Sequence, residues 1–212
     1  MTEKIHATKL AILNATERLV AARGFEATSL RAITTAAKVN LAAVNYHFAT
    51  KDALLLAMLN RRMKPINQAR LELLDQFERE AGNRPVAIEK ILEALFRPVL
   101  ELITHPAKGG RNFLRLLSLC LAAPGAFLKP LVEEEFAEKN RRFHQALRRS
   151  LPQLSDVEVH WRLHLAQGAF LHAVAHSQVL ELSSRGRCRL TNTETVLQRI
   201  IAFCAAGLRN ST

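Results

Sequence analysis

Long stretches rich in Ala, Leu, Arg and Glu, with few interruptions, constrain the fold of this chain most strongly. Its 212 residues include only 8 glycines and 7 prolines. Runs in which apolar and polar residues alternate, the usual signal of a half-buried strand, are missing from the sequence. We therefore predict an all-α fold in which helices bury a common apolar core.

The segment from Thr28 to Phe48 predicts two short helices joined by a tight turn. Thr28 or Ser29 can cap the first helix, and Asn40 is a good N-cap for the second, which should run from Leu41 to Phe48. A longer helix is predicted before them, over residues 3–23. Two short helices joined by a turn and braced by a longer one form the helix-turn-helix plan.

Helical spacing predicts which residues of these helices face the core. Val44 and Phe48 are four residues apart and can share a buried face, whereas Ala42, Asn45 and Tyr46 then point away from it. On the longer helix the inward stripe is expected at Ile12, Ala15, Thr16 and Leu19.

Composition excludes several classes of protein. Hydrophobic residues make up 49% of the chain and charged residues 23%, which argues against wholesale disorder. No apolar run approaches the roughly 18 residues that span a bilayer, and no signal peptide precedes the first helix, so we expect no membrane partner. The three cysteines are scattered, which argues against a disulfide framework or a zinc cage and favours a cytoplasmic protein.

The charge of the chain is compatible with a polyanionic partner, but it is unevenly distributed. The net charge is +11, yet residues 1–52 hold seven basic and four acidic side chains and so carry only +3.

We predict two domains, residues 1–52 with the helix-turn-helix and residues 53–212 with further helices. Ser155–Glu158 and Thr191–Glu194 are capping boxes that should open the last two helices, both unusually apolar.

Four segments of the N-terminal region resemble the TetR family of transcriptional repressors. They are Gly24–Phe25, Thr28–Ile33, Ala36–Asn40 and Tyr46–Leu54. Residues 39–48 are also similar to the PsrA-like branch, which is associated with fatty-acid sensing. The chain departs from the family pattern at two positions: Lys38 stands where Gly is usual, and Asn45 where Tyr is frequent.

The resemblance implies a homodimer that binds a palindromic double-stranded operator and is released by a small apolar effector, such as a fatty acid or an acyl thioester. By the same resemblance, base edges would be contacted by Arg31, Leu41, Ala42 and Asn45. Phosphates would be contacted by Thr28, Ser29, Tyr46, His47 and Lys51.

The C-terminal region is expected to serve dimerisation and effector binding. Dimer contacts are predicted in the last two helices, at Trp161, Leu165, Phe170, Val174, Leu197, Ile200, Ile201, Phe203 and Leu208, with Gly168 allowing close approach. The predicted wall of the effector pocket is Phe113, Leu117, Cys120, Trp161, His164, Gln167 and Leu171.

Four histidines on the penultimate helix raise the question of a metal ion. They are His160, His164, His172 and His176, spaced so that pairs lie four residues apart. Such pairs can share a metal, but the Glu of an HExxH motif is absent and polar packing is the better interpretation. We therefore expect neither a metal nor a cofactor.

Two other functions have less support in the sequence than a sequence-specific regulator. A helical small-molecule-binding enzyme finds no support, because the sequence has no nucleophile elbow, no phosphate-binding glycine loop and no spaced carboxylate pair. A nonspecific nucleoid protein fits the net charge but not the large apolar C-terminal half.

Overall fold

The computed structural model describes residues 2–104, 113–114, 116, 118, 129–130, 133–134 and 136–210, with side chains from residue 5 onward. Nine α-helices and no strand are found within these residues, which confirms the predicted all-α fold. The helices are α1 (Thr2–Arg23), α2 (Leu30–Ala37), α3 (Leu41–Phe48), α4 (Lys51–Ala81), α5 (Ile88–Thr104), α6 (Ala137–Ser150), α7 (Asp156–Ala175), α8 (Ser177–Ser183) and α9 (Thr193–Arg209).

The chain divides into two compact units. The first comprises Met1–Pro65 and Gly109–Glu135, and the second Ile66–Lys108 and Phe136–Thr212. The break along the helices therefore falls at residue 65, inside α4, whereas the domain boundary predicted at residue 52 lies next to the start of that helix. The predicted boundary stays a prediction.

In the first unit, α1, α2 and α3 pack around one apolar core. Ile12, Val20 and Ile33 are completely buried there. The stripe predicted on α1 is correct for Ile12, Ala15 and Thr16, but Leu19 is half-exposed and the neighbouring Val20 takes its place. Successive residues are about 100° apart around a helix, so Leu19 and Val20 lie on opposite sides of Ile12. The buried arc also includes Leu13 and Glu17, and it is therefore centred on the Val20 side.

The helix α4 runs through Pro65, although a proline inside a helical pattern predicts that the helix ends or bends there. It continues from Lys51 to Ala81 with Pro65 inside it, so the expected end is wrong. A proline in a helix interior removes one backbone hydrogen bond. Here the helix accommodates that loss and carries the chain from the first unit into the second.

In the second unit, α5 packs against α6 and α9, and α7 packs against α6 and α9. Phe96 of α5 and Phe170 of α7 stack with ring centroids 4.6 Å apart and planes 2° from parallel. The nearly buried Arg162 side chain of α7 donates to the carbonyls of Leu208 at 2.9 Å and of Asn210, at the C-terminal end of α9. One arginine thus caps α9 and joins it to α7.

The starts of α7 and α9 test the two predicted capping boxes. Ser155 caps α7 and accepts a hydrogen bond from the Glu158 amide at 3.1 Å, as predicted. The cap of α9 is Asn192, whose Oδ1 accepts from the Thr195 amide at 2.9 Å, and not Thr191. Among the described helices, none is long and apolar enough to cross a membrane.

Candidate nucleic-acid interface

The turn between α2 and α3 depends on a lysine in a left-handed conformation. Ser29 caps the start of α2 by accepting from the Ala32 amide at 3.2 Å. Lys38 ends the helix with φ 56° and ψ 43°, and its amide donates to the carbonyls of Thr34 and Thr35. The turn therefore accepts a side chain where the family usually has Gly, at the steric cost of a left-handed residue.

Helix α3 presents a small, uncharged face to solvent. Asn40 caps it through a 2.8 Å hydrogen bond from the Ala43 amide, while Val44 and Phe48 are 2% and 6% exposed and hold it to the core. These positions are as predicted. The exposed residues of the helix are Leu41, Ala42, Asn45 and Tyr46. Arg31 of α2 is exposed as well.

The junction of α3 and α4 fixes where the exposed face of α3 ends. Ala49 adopts φ 50° and ψ −49°, and its amide donates to the Asn45 carbonyl at 3.1 Å. Thr50 then caps α4 by accepting from the Ala53 amide at 3.1 Å. Lys51 Nζ donates to the Phe25 carbonyl at 2.9 Å, so this ammonium also ties α4 to the loop after α1.

The five predicted phosphate contacts do not share one environment. Thr28 is 0% exposed, and its hydroxyl donates to the Gly24 carbonyl at 2.7 Å. Its side chain is used inside the protein, so the expectation for Thr28 needs correction. Ser29 and Tyr46 are exposed, the latter by 76%, and His47 is half-buried against Tyr46 with ring centroids 5.2 Å apart.

A buried carboxylate braces α1 against the first half of α4. Glu17 Oε2 lies 2.5 Å from Arg61 Nη2, and its Oε1 lies 2.7 Å from Arg62 Nη2. Burial alone would raise the pKa of Glu17, but the hydrogen bonds and charges of Arg62 and Arg61 outweigh burial and hold that pKa below its usual value. Sequence reasoning missed this cluster, because Glu17 looks like an ordinary surface residue of α1.

The predicted effector-pocket residues are divided between the two units and between different degrees of burial. Phe113, in the first unit, is buried, whereas Leu117 and Cys120 lie outside the described residues. The other four residues belong to α7 in the second unit. Gln167 and Leu171 are half-buried there, and Trp161 and His164 are exposed on the outer face.

The outer face of α7 and α9 carries large apolar side chains. The exposed fractions are 66% for Val157, 61% for Trp161, 62% for Leu165 and 72% for Phe203. Five other members of the predicted dimer surface are buried within the chain itself and need correction, namely Phe170, Val174, Leu197, Ile201 and Leu208. Ile200 is half-buried. A Cβ added at Gly168 would meet no atom within 4 Å, so packing within the chain does not require that glycine.

Two cations lie close together inside the second unit, and no carboxylate of the described residues pairs with either of them. Lys139 of α6 is 7% exposed, and burial together with the charge of Arg70 lowers the pKa of its ammonium to about 7. Arg70 of α4 donates to the Leu95 carbonyl at 2.8 Å and to Asn67 Oδ1 at 3.0 Å, and burial lowers its pKa to about 10. Nothing in the sequence singled out these residues, because basic residues on helices are usually solvated.

Comparison with known proteins identifies both parts of the chain. Residues 12–58 match the model for bacterial regulatory proteins of the tetR family. Residues 93–207, more than half of the chain, match the model for the tetracyclin repressor-like C-terminal domain. No curated protein sequence matches the chain.

Solved structures with a similar fold share little sequence with this chain. A TetR family transcription regulator from Marinobacter aquaeolei VT8 has a TM-score of 0.64 at 18% identity, over 98% of both chains. SmeT in complex with triclosan has a TM-score of 0.62 at 19% identity, over 93% of this chain and 91% of the other. The regulator PfmR from Thermus thermophilus has a TM-score of 0.58 at 20% identity, over 94% of this chain and 99% of the other.

These matches agree with the capped helix pair and the exposed face of α3. The matched models describe regulatory proteins rather than enzymes, which confirms the prediction of a DNA-binding regulator over that of a helical enzyme. The chain belongs to the TetR family of transcription regulators.

Proposed function

We propose that this regulator is a homodimeric repressor that acts in the cytoplasm on a near-palindromic operator and leaves it when an apolar, anionic effector binds. The proposed operator binding rests on one observation, the uncharged, solvent-exposed face of α3 with Leu41, Ala42 and Asn45. A face without charge contributes little nonspecific attraction to phosphates, so its role is to contact base edges.

Each proposed base contact follows from side-chain chemistry. The Asn45 amide can pair with N6 and N7 of adenine, and the Arg31 guanidinium can donate two hydrogen bonds to guanine. Leu41 and Ala42 can pack on thymine methyl groups. The adjacent phosphates are assigned to Ser29 and Tyr46, which are exposed, and to His47 and Lys51, which are half-buried.

A dimer is proposed because one helix of eight residues reads too few bases. Two-fold symmetry places two recognition helices in successive major grooves, roughly 34–36 Å apart. The exposed apolar residues Val157, Trp161, Leu165 and Phe203 support an interface made by α7 and α9. We assign Trp161 to this interface rather than to the effector pocket. His164 is exposed on the same helix, and we assign it to the interface as well.

The anionic character of the effector rests on Arg70 and Lys139. Two buried cations without a carboxylate are unfavourable, and an anionic head group would compensate both. The resemblance of residues 39–48 to the PsrA-like branch supports a fatty acid or an acyl thioester, and the bound triclosan of SmeT supports an apolar body for the ligand. Gln167 and Leu171, which belong to the same unit as the two cations, are proposed as part of the pocket wall.

In vitro selection of genomic fragments, at fixed salt, tests the DNA-binding half of the proposal. With a selected operator, Asn45→Ala and Arg31→Ala should each cost about 1–3 kcal/mol of binding and relax preference at one position per half-site. Tyr46→Phe should weaken all sequences alike. Arg18→Ala, an exposed arginine on α1, is the control for lost charge. Equal losses on every DNA for all four variants would contradict these roles.

Sedimentation of interface variants tests the dimer. Leu165→Glu should dissociate the dimer into monomers, because a carboxylate would be buried in the proposed interface. Val179→Glu places the same charge on α8, at a position that is 61% exposed, and should leave the dimer intact. A wild-type monomer that still binds a palindrome tightly would refute the proposal.

Calorimetric titration of long-chain carboxylic acids and the matching alcohols, with and without operator, tests the effector. The acids should bind more tightly than the alcohols, and operator DNA should weaken the acids by the same factor by which the acids weaken DNA. If an acid binds but operator leaves its affinity unchanged, the pocket is real and the release mechanism is wrong.

A further inference from the structure

Three potential metal ligands converge where α6 meets the start of α7. His144 lies on α6, Asp156 is the first residue of α7, and His160 follows one turn later. His144 Nε2 is 3.3 Å from Asp156 Oδ1, and His160 Nε2 is 3.9 Å from Asp156 Oδ2. One ligand atom from each residue lies within 4.8 Å of the other two, and no other group of three such residues is found in the described part of the chain.

The environment of His144 indicates an unmet requirement for a partner. Its side chain is 15% exposed, and its Nε2 is buried. Although Asp156 Oδ1 is 3.3 Å away, the angles do not make a hydrogen bond to this nitrogen. A buried ring nitrogen without a partner costs free energy, since folding removes the water that would bind it. The His144 and His160 rings stack with centroids 4.1 Å apart and planes at 22°, which brings both imidazoles to the same carboxylate.

We propose that His144, Asp156 and His160 bind one divalent transition-metal ion, with Zn²⁺ as the expected ion. Two imidazole nitrogens and one carboxylate oxygen form a ligand set that suits zinc, with water in the fourth position. At zinc–ligand distances of about 2.0–2.1 Å, tetrahedral ligands lie roughly 3.3 Å apart, so small side-chain rotations close the site. The ion would tie α6 to α7 independently of the proposed effector.

The surroundings of the cluster allow an ion to enter. The Asp156 and His160 side chains are 69% and 66% exposed, so solvent reaches the cluster. Arg148 Nε lies 3.8 Å from Asp156 Oδ1 and competes for that carboxylate, but Arg148 also donates to the Leu154 carbonyl. A bound cation would repel Arg148 from Asp156 and leave it with Leu154.

A second stacked histidine pair, at the C-terminal end of α7, provides a matched control. His172 and His176 also stack, with ring centroids 4.5 Å apart and planes at 24°. His176 Nδ1 faces the His172 carbonyl at 3.3 Å, and this pair does not belong to a three-ligand group among the described residues. The two pairs thus differ in the carboxylate that the proposal requires.

The test uses the full-length protein without an affinity tag, treated with chelator and then titrated with Zn²⁺ in a calorimeter. We expect one ion per chain and a zinc-dependent rise in Tm. His160→Ala and Asp156→Asn should each weaken zinc binding by about 10-fold or more and abolish the Tm rise. His176→Ala should change neither. The exposed position of His160 makes His160→Ala the variant least able to disturb folding.

Cobalt spectra identify the ligands. Co²⁺ bound at this site should show tetrahedral d–d bands without the charge-transfer band of a thiolate. A thiolate band would place the ion at a cysteine and overturn the proposal. So would the absence of saturable zinc binding by the wild type, or equal zinc affinity of wild type, Asp156→Asn and His160→Ala.

Discussion

Replacing Lys139 by Met should make the protein more stable, although it deletes a charged residue from a buried helix face. Burial and the charge of Arg70 lower the pKa of Lys139 to about 7, against about 10.4 for a lysine in an unfolded chain. Each unit of that difference corresponds to about 1.4 kcal/mol by which folding disfavours the charged form. Methionine fills a similar volume without charge, so we expect a gain on the order of a few kcal/mol at pH 6.

The gain should depend on pH in a defined direction. Between about pH 7 and pH 10 the unfolded chain holds a proton on Lys139 that the folded chain has released. The free energy of unfolding of the wild type should therefore rise with pH across this window, and Lys139→Met should lack that contribution. The difference between the two proteins is largest below pH 7 and shrinks toward pH 10.

Urea unfolding of full-length proteins at pH 6, 8 and 9.5, at one protein concentration, measures this difference. Lys64→Met, an exposed lysine of α4, serves as the control and should change stability by less than about 0.5 kcal/mol at each pH. A loss of stability in Lys139→Met at pH 6, or a gain that is the same at all three pH values, would refute the reasoning. In the calorimetric titration described above, Lys139→Met should bind the long-chain acids no more tightly than the matching alcohols.

Three further substitutions test the fold around the interface. Glu17→Gln should lower the free energy of unfolding at pH 7 by about 1–3 kcal/mol, because it leaves two arginines without a buried carboxylate. The loss should fade as the pH falls below about 4, because the unfolded chain then takes up a proton on Glu17 and the folded chain follows at lower pH; Glu26→Gln is the exposed control. Lys38→Gly should raise the free energy of unfolding by about 1 kcal/mol, since glycine adopts the left-handed turn without steric cost. The gain should be visible as a higher Tm. Arg162→Ala should cost about 2–4 kcal/mol in urea unfolding because it removes the cap of α9.

The helix-turn-helix was predictable because its determinants are local. Asn40 as a cap and the four-residue spacing of Val44 and Phe48 set the start of α3 and its buried face, and the structure agrees on both. Thr28 shows the limit of such reasoning. Its position in the family pattern placed it at a phosphate, but its hydroxyl is within reach of the Gly24 carbonyl and is used there.

The C-terminal helices were harder to predict because α7 and α9 are apolar on more than one side. Phe170 and Val174 lie on the face that packs inside the chain, whereas Trp161 and Leu165 lie on the face that remains exposed. Periodicity identifies a helix with two apolar faces but does not say which face belongs to the chain's own core. That assignment depends on packing against helices that are distant in sequence.

The charges between α4 and α6 show how such distant packing brings together groups that sequence patterns do not reveal. Arg142 of α6 is met by Asp75 Oδ1 at 2.5 Å and Glu78 Oε2 at 2.8 Å, both on α4. Lys139 lies one turn earlier on α6. It faces the charge of Arg70, which like Asp75 and Glu78 belongs to α4, and it pairs with no carboxylate of the described residues. Helices that pair one cation so well could have paired the other, so the missing carboxylate is a cost that the head group of the proposed effector would remove. If that gain differs by about 1–3 kcal/mol between the DNA-bound and released conformations, it is enough to shift operator binding by roughly 5- to 150-fold.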